Sequence, residues 1–242
     1  MDFPQLILTA MAALVALTIH EFAHGYVAYK LGDDTAKSLG RLSLNPIKHL
    51  DPFGAICMIL FHFGWANPVP INPTNFKNPR KGFAITAIAG PATNLIVGFF
   101  TAFLYLLFYS IFRETGNAFI DNFEINVLLF LLYFFSINIG LGVFNLIPVP
   151  PFDGSRILYV ALPKKWYFKV MKYERQIYWG VIAWLLLGKY VYAALISMPF
   201  IASNSVLSTL VKIFSLSDIL SDTINAIANG MLNFWRLIPM FR

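Results

Sequence analysis

His20-Glu21-Phe22-Ala23-His24 follows a run with no charge from residue 3 to residue 19, and the apolar character resumes to Tyr29 before Lys30-Leu31-Gly32-Asp33-Asp34 breaks it. This stretch decides the fold, because it sets two imidazoles and a carboxylate inside a segment long enough to span a bilayer. On a helix, positions four apart share a face, so His20 and His24 can grip one ion. Glu21, about 100° round the axis, then reaches a water bound to that ion. A hydrolytic zinc site takes three protein ligands and keeps one position for water, whose proton a carboxylate accepts. A third ligand is therefore expected elsewhere. With 4 His in 242 residues, a chance pairing four apart is the weaker explanation, since ionisable groups at membrane depth are functional by default.

Composition sets the class. The chain is 58% hydrophobic and 12% charged, about half the charged share of a soluble domain, which makes it a polytopic membrane protein. The expected fold is all-α: a bundle of about four to six transmembrane helices with a re-entrant hairpin and a C-terminal amphipathic helix. One transmembrane domain over residues 1–242 is expected, with the core motifs in 1–160, an additional span at 177–200 and an amphipathic region at 203–242. The formal charge of +6 does not point to nucleic acid, because the basic residues lie between apolar runs and not on one polar face. Cys57 is the single cysteine; it sits in an apolar run and reads as a small buried hydrophobe. Ala10-Met11-Ala12 resembles a signal-peptidase site, but no Lys or Arg precedes it, so the N-terminus is read as retained.

At a rise of ~1.5 Å per residue, His20 lies about 15 Å from Lys30 along the first helix, within the bilayer half on the Lys30 side. Residues 30–52 form a basic loop with turn signals at Asn45-Pro46 and Asp51-Pro52. Residues 53–63 are apolar but too short to span, and Gly64-Trp65-Ala66-Asn67-Pro68-Val69-Pro70 after them cannot be regular helix. A re-entrant hairpin fits both facts. Irregular backbone at that depth is tolerated only against protein or a wet cavity, so the hairpin is expected to line the metal site's entrance. There Gly64, Trp65, Ala66 and Asn67 would pair with an extended substrate strand.

A second span is expected over residues 83–112, with a kink at Pro91 and Asn94 in need of a partner. Residues 113–124 form the far loop, and a third span over 125–147 carries Asn138 and Asn145 on one face. It ends in Pro148-Val149-Pro150-Pro151-Phe152-Asp153-Gly154. By parity this end lies on the Lys30 side, which makes Asp153 the natural third ligand ahead of His49, Asp51 and His62. Residues 156–175 read as a densely basic loop, and thirteen Lys and Arg on the Lys30 side against Arg113 opposite make that side cytoplasmic and the N-terminus external. Leu216, Ile219, Leu220, Thr223, Ile227, Met231 and Trp235 form the apolar stripe of the last helix.

Taken together, His20-Glu21-Phe22-Ala23-His24-Gly25, Asn45-Pro46-Ile47-Lys48-His49-Leu50-Asp51-Pro52-Phe53-Gly54, Gly90-Pro91-Ala92-Thr93-Asn94 and Asn145-Leu146-Ile147-Pro148-Val149-Pro150-Pro151-Phe152-Asp153-Gly154 resemble the site-2 protease family of intramembrane zinc metalloproteases. The likeness covers roughly residues 5 to 160. The first motif is shared by many zincins, but its pairing with a Pro-rich Asp-Gly segment after a later span is specific. The resemblance implies a protease that cuts transmembrane segments of other proteins. It puts His20, His24 and Asp153 on one Zn2+ ion with a bound water, Glu21 as catalytic base, and Asn94 and Asn145 on substrate or oxyanion. It also implies a multi-pass protein of a bacterial plasma membrane. Neither the PDZ nor the CBS module of some family members is present, so regulation is expected from a membrane partner, a homodimer, the C-terminal helix or the substrate.

Two other classes fit less well. A membrane metal-ion transporter needs a polar path on both sides of its site, and no ionisable residue lies between Asp2 and His20. An inactive protease-like scaffold would have lost Glu21 or a ligand.

Overall fold

The computed structural model describes residues 3–54, 66–212 and 215–241. These residues are helical, with one isolated antiparallel bridge between Leu50 and Ala66 and no strand among them. Helix α1 (Phe3–Lys30) stops where Gly32 adopts φ 105° and Asp33 N–H reaches back to Ala28 O at 2.9 Å, the left-handed turn that closes helix C-termini. A short α2 (Thr35–Ser38) and an irregular loop follow. Residues 66–76 then run as a strap to α3 (Pro79–Ile111), where the Asn78 side chain accepts from Lys81 N–H and Pro79 occupies the first turn. Helix α3 is continuous through Pro91. Helix α4 (Ala118–Asn145) returns antiparallel, and the proline-rich turn after it leads into α5 (Gly154–Ala161).

Helices α1, α3 and α4 are each long and apolar enough to cross a membrane, and α6 (Lys164–Ile196), bent by 53° between Leu185 and Leu187, makes a fourth if the bent pair is one span. The protein is a multi-pass membrane protein with three such helices, or four, among the described residues. Residues 156–175, expected to be loop, are helix instead: α5 and the first third of α6 meet at Pro163, which precedes the first residue of α6 and is pre-set for a helix start. Helices α7 (Pro199–Ala202), α8 (Ser205–Val211) and α9 (Leu216–Trp235) complete the chain.

Small residues let α1, α3 and α4 approach closely. Ala12, Ala16 and Ala102 are fully buried, and a Cβ on Gly98 would come within 2.6 Å of Ile139 Cδ1. Helix α9 lays Ile224, Ile227, Met231 and Trp235 over the cluster of Ala102, Phe135 and Ile139, and Trp235 Nε1–H donates to Phe99 O at 2.8 Å. The bundle thus holds α1 rigidly on α3, with the histidines of α1 facing inward.

The expected hairpin over residues 53–63, with Gly64, Trp65, His62 and Cys57, falls mainly or wholly on residues 55–65, outside those described.

Candidate metal centre

His20 and His24, 4% and 6% exposed, project from one face of α1 as their spacing of four requires. Asp153 comes from the far end of the proline-rich turn. His20 Nε2 lies 3.0 Å from His24 Nε2, and Asp153 Oδ2 lies 3.1 Å and 3.2 Å from these two nitrogens. The other ring nitrogens fix the tautomers. His20 Nδ1 donates to Asn94 Oδ1 at 2.5 Å and His24 Nδ1 to Thr86 O at 2.7 Å, which leaves a lone pair on each Nε2. Three lone-pair atoms at such distances repel one another unless a cation lies between them. The donor set, two imidazoles and a carboxylate, is that of a zinc site with an open position.

The approach of the helices depends on glycine. A Cβ on Gly90 would overlap His24 Nε2 and lie 2.7 Å from His20 Cε1, so α3 can back the imidazoles only with hydrogen there. A Cβ on Gly154 would overlap Leu146 O, which lets the turn bring Asp153 under the pair. Asn94 is fully buried and spends both amide protons, on Ala16 O at 3.2 Å and Asn138 Oδ1 at 2.8 Å, so a polar chain ties α1, α3 and α4 beside His20.

Glu21 lines the same cavity of about 290 Å³ as His24 and Asp153. Its Oε2 accepts from Val69 N–H at 2.8 Å. The strap that carries Val69 is anchored twice. Arg41 Nη2 donates to Asn67 O at 2.8 Å, and Asn67 N–H donates to His49 O at 2.8 Å. Further on, the buried Asp33 accepts from Asn72 N–H and Asn75 Nδ2, each at 2.7 Å. Burial works against the Asp33 charge, but the bonds from Thr35, Asn72 and Asn75 outweigh it and hold its carboxyl below the ordinary value of 3.8.

The structure therefore brings Glu21, His24 and Asp153 to one cavity, with His20 Nε2 clustered against His24 and Asp153 although His20 does not itself line that cavity. Asn94 and Asn145 do not line it. Asn145 donates to Leu141 O of its own helix at 3.1 Å. His49 is bonded to Ser43 O and Asp51 to Gly54 N–H, both in the loop. Ala66 and Asn67 take part in the bridge with the 49–50 loop. The reading of the residues named Asn138 without its partner and missed the roles of Val69, Asp33, Arg41 and the glycines at 90 and 154. Only Gly90-Pro91 and Asp153-Gly154 carried a signal, as glycines beside quoted motif residues; a backbone N–H leaves no mark in a sequence.

The model of peptidase family M50 matches residues 8–188. Over 212 residues the chain is 40% identical to "Putative zinc metalloprotease YwhC" of Bacillus subtilis, covering 88% of this chain and 91% of that protein. Over 161 residues it is 34% identical to "Zinc metalloprotease MJ0392" of Methanocaldococcus jannaschii, covering 65% of this chain and 35% of the archaeal protein. No solved structure matches the chain significantly.

Proposed function

The chain belongs to peptidase family M50 and is an intramembrane zinc metalloprotease, and from that premise we propose how its residues divide the work. His20, His24 and Asp153 hold the ion, and the observation that carries this is the triangle of three lone-pair atoms 3.0 to 3.2 Å apart. Zinc, when bound there, supplies a Lewis acid for the scissile carbonyl and its developing charge. Glu21 is the base. With Oε2 fixed by Val69 N–H, its Oε1 takes a proton from water and passes it to the leaving amine. Asn94 acts best as a positioning residue, because its oxygen and both amide protons are committed within the protein. Asn145 keeps its Oδ1 and one amide proton unused among the described residues and is the better candidate for a substrate or oxyanion contact.

Members of the family act on membrane-protein substrates within the bilayer. Hydrolysis there needs an unwound strand, since helical carbonyls are already bonded. We propose that the segment around Gly64, Trp65, Ala66 and Asn67 receives that strand, with a re-entrant hairpin before it. A single domain over residues 1–242, α9 as an amphipathic cover, a cytoplasmic Lys30 side in a bacterial plasma membrane, and a regulatory partner or homodimer complete the proposal. Purified protein tests the roles. Glu21→Gln should keep stoichiometric zinc and lose cleavage of a single-span peptide, while His24→Ala loses both; zinc loss in Glu21→Gln equal to that in His24→Ala would refute the assignment.

A further inference from the structure

A second cavity of about 200 Å³ adjoins the metal cavity, and Phe83 and Arg156 line both. It lies between the start of α3, α5 and α6, and most of its wall is apolar, from Pro73, Pro79, Tyr167 and Met171. Two guanidiniums nevertheless line it. Arg80 stacks 4.2 Å from the centre of the Tyr167 ring and makes no ion pair among the described residues. Arg156 donates from Nη1 to Glu174 Oε1 at 2.7 Å, which engages one of its five N–H donors. The aromatic rings of Phe83 and Tyr159 lie 5.3 and 5.4 Å from its guanidinium, within cation–π reach. Two positive charges against one carboxylate, in a wall of low polarity, leave a cationic site with spare donors. A carboxylate answers both.

A strand seated on the metal triangle reaches this second cavity only past the wall the two share. We propose that the second cavity is a substrate subsite that takes an acidic side chain a few residues from the scissile bond, with Arg80 and Arg156 as its specificity-determining residues. This rests on reading the first cavity as the protease centre. Glu174 competes with the substrate for Arg156 and so sets how selective the subsite is. If Arg156 only ties α5 to α6, losing either partner of the ion pair has the same effect; if it reads substrate, the two losses act in opposite directions.

The test uses zinc-loaded full-length protein in liposomes and single-span peptides identical except at one position, scanned outward from the scissile bond, where Glu, Gln or Lys is placed. At one position Glu should be preferred over Gln by about ten-fold in kcat/KM, chiefly through KM, with Lys below Gln. Arg80→Gln and Arg156→Gln should each bring the Glu-to-Gln ratio toward one, Arg156→Lys should restore part of it, and Glu174→Gln should raise it. Equal ratios at every position would overturn the subsite. So would Arg156→Gln and Glu174→Gln slowing all peptides alike. The same peptides are also titrated onto zinc-loaded Glu21→Gln protein. If the unmodified protein cleaves none of them, the protease reading fails, and the binding ratio alone then decides the subsite: a preference for Glu upholds it and equal binding overturns it.

Discussion

Val69 N–H donates to Glu21 Oε2 at 2.8 Å, so the one carboxylate of the metal motif that is not among the three clustered ligand atoms is held by backbone from a different segment. Pro68 and Pro70 flank that donor and offer none of their own. Val69→Pro removes the single N–H while keeping an extended backbone type. It should lower kcat for a model peptide by roughly ten-fold or more, with KM changed less and zinc content intact, because a base out of line costs rate before it costs binding. Steady-state kinetics beside metal analysis checks it.

Gly90→Ala should lower zinc occupancy at a fixed free-zinc concentration. The new methyl overlaps the His24 ring nitrogen and crowds His20, so the imidazoles or the helix must shift to admit it. A zinc titration of purified protein, compared with Gly140→Ala, where a Cβ meets open space, separates this from a general helix effect.

Asp33→Asn should loosen the strap by roughly 1–3 kcal/mol, since it leaves donors from Asn72 and Asn75 without a charged acceptor. The pH dependence has a definite sign. The carboxyl is held below its ordinary 3.8 in the folded protein, so its contribution is present in full above that value. It fades as pH falls through the lower folded value. The stability margin of the unmodified protein over Asp33→Asn should therefore be constant near neutrality and shrink in acid, as read by thermal unfolding at a series of pH values.

In a Cys57→Ser background, a cysteine at Thr115 should react with an impermeant reagent applied to intact cells, and one at Lys165 should not. The balance of basic residues across the two faces is the reason. The reverse pattern would invert the orientation.

The parts of the site that the sequence displays are the ones chemistry restricts to few residue types. His20 and His24 are legible because metal ligation by a helix needs imidazoles at one spacing, and Asp153 because three prolines stop α4 just before it. The long spans are legible because lipid demands twenty apolar residues in a row. What escaped has a different origin. Val69 acts through an N–H that every residue but proline owns, and Thr86 through a carbonyl that all share. Asn138 is legible only as a polar residue sharing a face with Asn145, because nothing in its own helix points to Asn94, 44 residues away. The start of α6 was hidden because Lys164 to Arg175 is too charged for a span, yet α6 runs through it as helix into its apolar part.

The ligand atoms of His20 and Asp153 are separated by 133 positions in the chain. During synthesis, a chain that has delivered only α1 to the bilayer offers two ligands of three, and its histidines lack Asn94 and Thr86 to set their tautomers. If these three residues hold the ion as proposed, tight metal capture waits until α3 and α4 are inserted and the turn after them has formed. On the proposed ligand set, the centre is thus incomplete while the chain is being made and is assembled at the same moment as its finished topology.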